Sequence, residues 1–115
     1  MGTKRMNEQA IAPGQLNHIA LPTTDPARAE LFYVELLGFR VVPRPAFSFD
    51  GRWLYREEVG PMIHLIHVPD HQSPSGPIQT KGPHFAMQCL DIEAAVELLQ
   101  NQNIEYVERS LPDFG

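Results

Sequence analysis

Residues 16–44 read LNHIALPTTDPARAELFYVELLGFRVVPR, and residues 82–109 read GPHFAMQCLDIEAAVELLQNQNIEYVER. Laying His18 on His84 puts Ala20 on Ala86 and Asp25 on Asp91, at an offset of 84 − 18 = 66 residues. With one residue dropped, Val42 and Arg44 then fall on Val107 and Arg109. A fixed offset of this kind marks two copies of one supersecondary unit. The first copy continues for two strand-like segments beyond Arg44, whereas the second reaches only Gly115. The expectation is one whole module followed by a partial one.

The local signals define each copy. Leu16–Leu21 alternates and is rich in β-formers, which predicts a strand with His18 and Ala20 on one face. Asp25-Pro26 is a helix start, an oxygen-bearing cap followed by proline at the first helical position. Ala29, Phe32, Tyr33, Leu36 and Leu37 then form one apolar stripe, and Gly38 closes the helix as a left-handed cap. Phe39–Val42 predicts a strand, ended by Pro43-Arg44-Pro45. Asp50-Gly51 is a hairpin signal, and Arg52–Val59 and Met62–Val68 read as antiparallel strands around Gly60-Pro61. The second copy predicts a strand over His84–Leu90. A helix follows, capped by Asp91 and striped by Ile92, Ala95, Val96 and Leu99, and then a strand over Ile104–Val107. The fold class is α+β, built from β-α-β-β-β modules with the helices on one face of mainly antiparallel strands. Expected boundaries are a flexible leader over 1–14, module one over 15–68, a proline-rich linker over 69–82 and a partial module two over 83–115.

Composition excludes several function classes. A net charge of −5 is the wrong sign for a nucleic-acid or anionic-membrane surface. No apolar run approaches a membrane span, and the N-terminus lacks the apolar core of a secretory signal. Cys89 is the single cysteine, so no internal disulfide forms and a cytoplasmic location is expected. In the second strand pattern Cys89 points toward the helices, as inert packing.

Five histidines carry the chemistry: His18, His64, His67, His71 and His84. His18 and His84 occupy the same point of the repeat, and His64 lies on the fourth strand of module one. On strands these three can converge across a sheet interior, whereas His67 points to the other side and His71 lies in the linker. Neutral imidazoles on rigid strands suit a divalent transition metal. The counterpart of His64 in the second copy would fall near 64 + 66 = 130, past Gly115. Trp53, Tyr55 and Phe47 could line a substrate pocket or belong to the core, and Gln88 shares the His84 face, within reach of a substrate or a ligand. Arg52 or Arg56 could bind a substrate carboxylate or sit at a solvated strand edge. Glu57 and Glu58 point to opposite faces of a strand, so no catalytic base is assigned.

The module order and these histidines resemble the vicinal oxygen chelate superfamily, the glyoxalase I / bleomycin resistance protein / dioxygenase fold. The likeness spans Leu16 to Gly115: LNHIAL followed by FYVELLGF resembles its opening, and PHFAMQCLDIEAAVELLQNQNIEY its second module. FSFDGRWLY leading into IHLIHV is most similar to a glyoxalase I-like subgroup of plants and bacteria. The resemblance implies two curved sheets forming a cup around a divalent metal, with His18 and His84 as first-strand ligands. His64 stands where glyoxalase I has a carboxylate and some relatives have glutamine or histidine. The family's last ligand is a glutamate following a DPDG-like motif, which this sequence does not contain.

The chemistry so implied is a metal-dependent lyase or isomerase acting on a small substrate with vicinal oxygens, such as a 2-oxoaldehyde–thiol adduct. The metal expected is zinc or nickel, with iron or manganese the alternatives. A second reading is an extradiol-type dioxygenase or thiol transferase, in which His18 and His84 hold the metal and His64 serves the substrate. A third is a metal-free small-molecule-binding module or an inactive remnant. A homodimer is expected, because short members of the family often build the cup from one module of each subunit. In that arrangement His18 and His64 come from one chain and His84 from the other.

Overall fold

The alternating stretch that holds His18 becomes strand β1 (His18–Thr23) in a computed structural model that describes residues 10–111. Residues 1–9 of the expected leader and residues 112–115 lie outside the described residues. The chain divides into two compact units, Met1–Gln72 and Ser73–Gly115.

In the first unit the Asp25 carboxylate accepts the Arg28 N–H at 3.1 Å, and Pro26 opens helix α1 (Pro26–Leu31). The helix does not run on as a single α-helix. A π-helical turn occupies Phe32–Leu36, and its i→i+5 bonding adds a residue to the turn, which rotates the apolar stripe. Ala29, Tyr33, Val34 and Leu37 face the core, while Phe32, expected in the stripe, is 42% exposed. Gly38, at φ 73°, ends the segment in the left-handed conformation the sequence predicts.

Strands β2 (Arg40–Val42), β3 (Gly51–Tyr55) and β4 (Met62–His67) complete a four-stranded sheet ordered β1-β4-β3-β2. β3 is antiparallel to both of its neighbours, and β1 pairs in parallel with β4. The Asp50-Gly51 hairpin is not formed. Residues 43–50 make a longer connection, and the Asp50 carboxylate accepts the Gly51 N–H at 2.8 Å where β3 begins. The tight turn lies instead at Arg56–Gly60, where the Arg56 carbonyl accepts the N–H groups of Val59 and Gly60.

The registers explain the core. Ile19 sits opposite Ile63, and Leu21 opposite Leu65. Leu54 lies opposite Ile63 from the other side. Leu54, Ile63 and Leu65, with Phe39, are the buried apolar residues, and the helical segment packs over them. The sheet is thus covered on this face, and every second residue points to the other.

In the second unit, helix α2 (Ile92–Asn101) is capped as the sequence predicts, with the Asp91 carboxylate accepting the Ala94 N–H at 3.0 Å. Asn103, at φ 54°, turns the chain out of it. The expected strands over His84–Leu90 and Ile104–Val107 are not formed. A strand exists only through ladder partners, and no described residue of this unit supplies one. Cys89 is correspondingly exposed, not packed beneath a helix, because there is no sheet for a helix to cover.

Candidate functional site

The uncovered face of the first unit is organised by one rung. Ala20, His64 and Trp53 are direct neighbours across β1, β4 and β3, and Val42 follows on β2. His18, two residues before Ala20, shares its face. Because Ala20 is small, the His18 ring leans into the space opposite His64. The two imidazoles stack with centroids 4.0 Å apart and 14° between planes. On its other side His64 stacks on Trp53 at 4.3 Å and 3°. Trp53 lies 6.2 Å from Phe47, which stacks on Phe49 at 5.0 Å. The result is an aromatic row of five rings, opposite the apolar core.

Hydrogen bonding sets which nitrogens are free. His18 Nδ1–H donates to Asn17 Oδ1 at 2.7 Å, which leaves Nε2 with its lone pair. His64 is 8% exposed, and its Nε2 is buried with no hydrogen-bond partner. Burial holds the His64 imidazole below the ordinary histidine range, and the nearby charges of His18 and Arg44 push it further the same way. His64 is therefore neutral at pH 7, with an unpartnered Nε2 beside the exposed His18.

The donor types fit part of a metal centre, while the rings, stacked face to face, would have to turn to aim their in-plane lone pairs at one ion. Two neutral nitrogens from adjacent strands suit zinc, nickel or iron, and the orphaned Nε2 is the kind of atom a metal satisfies. A catalytic zinc takes three protein ligands. Among the described residues no group of three His, Cys, Asp or Glu side chains is gathered.

Of the residues the sequence singles out, the first unit brings together His18, His64 and Trp53. His84 and Gln88 belong to the second unit, and both are exposed. There His84 Nδ1–H donates to the Gly82 carbonyl at 2.7 Å, leaving Nε2 free just as Asn17 does for His18. Both candidate arginines are engaged internally. Arg52 pairs with Glu30 at 2.7 Å and Asp50 at 2.6 Å, and Arg56 donates to the Leu37 carbonyl and pairs with Glu58. Glu57 and Glu58 are exposed at the turn after β3, not on a strand. Phe47, one of the aromatics the sequence offers for a pocket, joins the face, and so do Arg44 and Phe49, to which the sequence pattern assigns no place there. Their position depends on the long 43–50 connection folding back, which no periodicity records.

The family model described as Glyoxalase/Bleomycin resistance protein/Dioxygenase superfamily matches residues 15–110. Among solved structures, the chain is similar to an integron cassette protein from the mobile metagenome of V. cholerae. The identity is 17% and the TM-score 0.59, over 90% of this chain and 81% of that one. A second integron cassette protein, from the Halifax Harbour Sewage Outfall, is 18% identical with a TM-score of 0.55, over 76% of this chain and 70% of that one. A glyoxalase/bleomycin resistance protein/dioxygenase from Alicyclobacillus acidocaldarius is 20% identical with a TM-score of 0.54, over 80% and 66%. At such identities the likeness is one of fold: a small α+β architecture with a mixed four-stranded sheet. No match was found among curated proteins. Among the described residues no helix is long and apolar enough to cross a membrane.

Proposed function

Because the chain belongs to the glyoxalase/bleomycin resistance protein/dioxygenase superfamily, we propose that it is a metal-dependent lyase or isomerase acting on a small substrate with vicinal oxygens. A 2-oxoaldehyde–thiol adduct is the type of substrate meant. The observation that carries this reading is the His18–His64 pair, with one Nε2 freed by Asn17 and the other buried without a partner.

In this proposal His18 and His64 hold a zinc or nickel ion, and His84 of the partner subunit completes the set in a homodimer. A bound divalent ion would supply Lewis acidity toward two adjacent substrate oxygens. Asn17 fixes the tautomer and the ring orientation of His18. Burial keeps His64 neutral, so its lone pair is available without first losing a proton. Trp53, half-buried beside His64, offers the substrate's carbon skeleton an apolar contact.

The test is turnover of a 2-oxoaldehyde–glutathione adduct by protein of known metal content, before and after treatment with a chelator. Activity that is lost on chelation and restored by zinc or nickel is the expected result. Iron-dependent cleavage of catechols instead would place the chain with the dioxygenases. A second reading, metal-free sequestration of a planar compound, is favoured by one observation, the unbroken row of aromatic rings from His18 to Phe49. Tight binding without turnover or metal would support it.

A further inference from the structure

We propose that Arg44 is the anion-recognition residue of the aromatic face, and that the small molecule taken there carries a carboxylate beside an apolar portion that lies against the half-buried Trp53 ring. This rests on the reading that the face binds a small molecule; it does not require a metal.

The placement of the guanidinium is unusual in three respects. Its carbon lies 5.0 Å from the centre of the Phe47 ring and 5.4 Å from that of Phe49, over the two stacked rings. Nη2 donates to the Phe49 carbonyl at 3.1 Å, while Nε is buried and has no partner. A guanidinium has five N–H donors, and the described residues account for one.

Its charge is also unmatched. Arg52 and Arg56 are neutralised by Asp50, Glu30 and Glu58, but among the described residues no carboxylate pairs with Arg44. In a chain of net charge −5, a half-buried cation left without a carboxylate is an exception. Stacking on two rings removes part of its water and supplies only ring faces in return. Such a group gains more from an arriving anion than a hydrated surface arginine does.

The position points to the site. Gly51 lies two residues before Trp53 on β3 and shares its face. A Cβ at Gly51 would stand 3.3 Å from Arg44 Nη2. The guanidinium thus occupies the space where a side chain of that face would be, beside Trp53, and its charge reaches His64. A carboxylate on Arg44 would leave the rest of a small ligand beside the half-buried Trp53 ring and the exposed Phe47 ring. A carboxylate matches the planar donor fork of arginine better than a lysine would allow.

The experiment titrates benzoate and benzamide into the full chain in chelator, followed by the fluorescence of Trp53, the only tryptophan, with sodium chloride as the ionic-strength control. The two probes share a flat ring and differ in charge. Benzoate should bind about tenfold or more tightly than benzamide, the size of effect a charge-assisted hydrogen bond supplies. Arg44→Gln should erase that preference and leave benzamide affinity unchanged, which also shows that the face is still folded. Arg44→Lys should recover less than half of the lost preference on a logarithmic scale. Equal affinity for both probes in the unaltered protein, or a preference that survives Arg44→Gln, overturns the proposal while leaving the face as a binding surface. Failure of both probes to bind overturns the proposal together with the small-molecule reading beneath it.

Discussion

The rings of His18 and His64 lie face to face at 4.0 Å, carried on strands that run parallel, with His64 buried and His18 exposed. The registry that makes this contact pairs His64 with Ala20, not with His18. The stack is therefore diagonal, and it depends on the small side chain between them.

The first prediction concerns pH. Burial, then His18 and Arg44, hold His64 below its ordinary value. In the unfolded chain His64 titrates near the unperturbed value of about 6.5. Above that value both states are neutral there and His64 has no effect on stability. As pH falls below it the unfolded state binds a proton that the folded state does not, so stability drops until the lowered folded value is passed. In chelator-treated protein, Trp53 fluorescence should report a His64 titration with a midpoint below the ordinary histidine range. His18→Ala should move that midpoint upward. A midpoint at or above the ordinary value would contradict the packing described.

The second concerns metal affinity. Zinc binding, measured by competition with a chromophoric chelator, should weaken at least about tenfold in His64→Ala, as is typical when a metal site loses a contact. His67→Ala should bind like the unaltered protein, since on β4 His67 points away from the His64 face. Equal losses in the two variants would remove His64 from the ligand set.

The third concerns the core. Leu54 is fully buried between the sheet and the helical segment, so Leu54→Ala should cost about 2–5 kcal/mol in urea unfolding. Val41 is 48% exposed on the edge strand, and Val41→Ala should cost less than about 1 kcal/mol. Comparable losses at the two sites would mean that the apolar layer is not where Ile63 and Leu65 place it.

The fourth concerns Gly51. A Cβ there would collide with the backbone carbonyl of Leu65, in the strand to which β3 is paired. Backbone cannot step aside as a flexible side chain can, so Gly51→Ala should destabilise by more than about 1 kcal/mol and disturb Arg44. At Gly38 the nearest atoms are the guanidinium of Arg56, which can swing away. The cost of Gly38→Ala should come from its positive φ instead. Chemical denaturation of both variants, with the Trp53 signal read in each, separates the two causes.

Much of this architecture was legible from residues whose signals are local. Asp25-Pro26, Gly38 and Asp91 mark helix ends because their chemistry acts within one turn, and each does so in the structure. The faces of β1 and β4 followed from alternation, which is why His18 and His64 were paired from the sequence. What depended on distant partners was not legible. His84–Leu90 has the composition of a strand, but composition does not provide a neighbour. The π-helical turn over Phe32–Leu36 exchanges Phe32 for Val34 on the core face, a one-position rotation that an α-helical period does not anticipate. Arg44 reads only as the repeat counterpart of Arg109 and a residue between two prolines, since its contacts with Phe47 and Phe49 arise from the 43–50 connection.

The parallel pairing of β1 with β4 joins the first and last strands of the sheet-bearing unit. Hairpins at β2–β3 and β3–β4 can zip from their turns, but this pairing must close a loop that contains all the rest, the slow kind of contact. The histidine stack is therefore expected to form late in folding. A ligand that needs both rings meets no partial version of its site in the unfolded or half-folded chain. At free concentration L it then stabilises the native state by RT ln(1 + L/Kd), undiminished by binding to the unfolded chain, and it slows unfolding most if it holds β1 in place. Occupancy of the site and the lifetime of the fold become one quantity, so a cell poor in the ligand would also hold less of the protein.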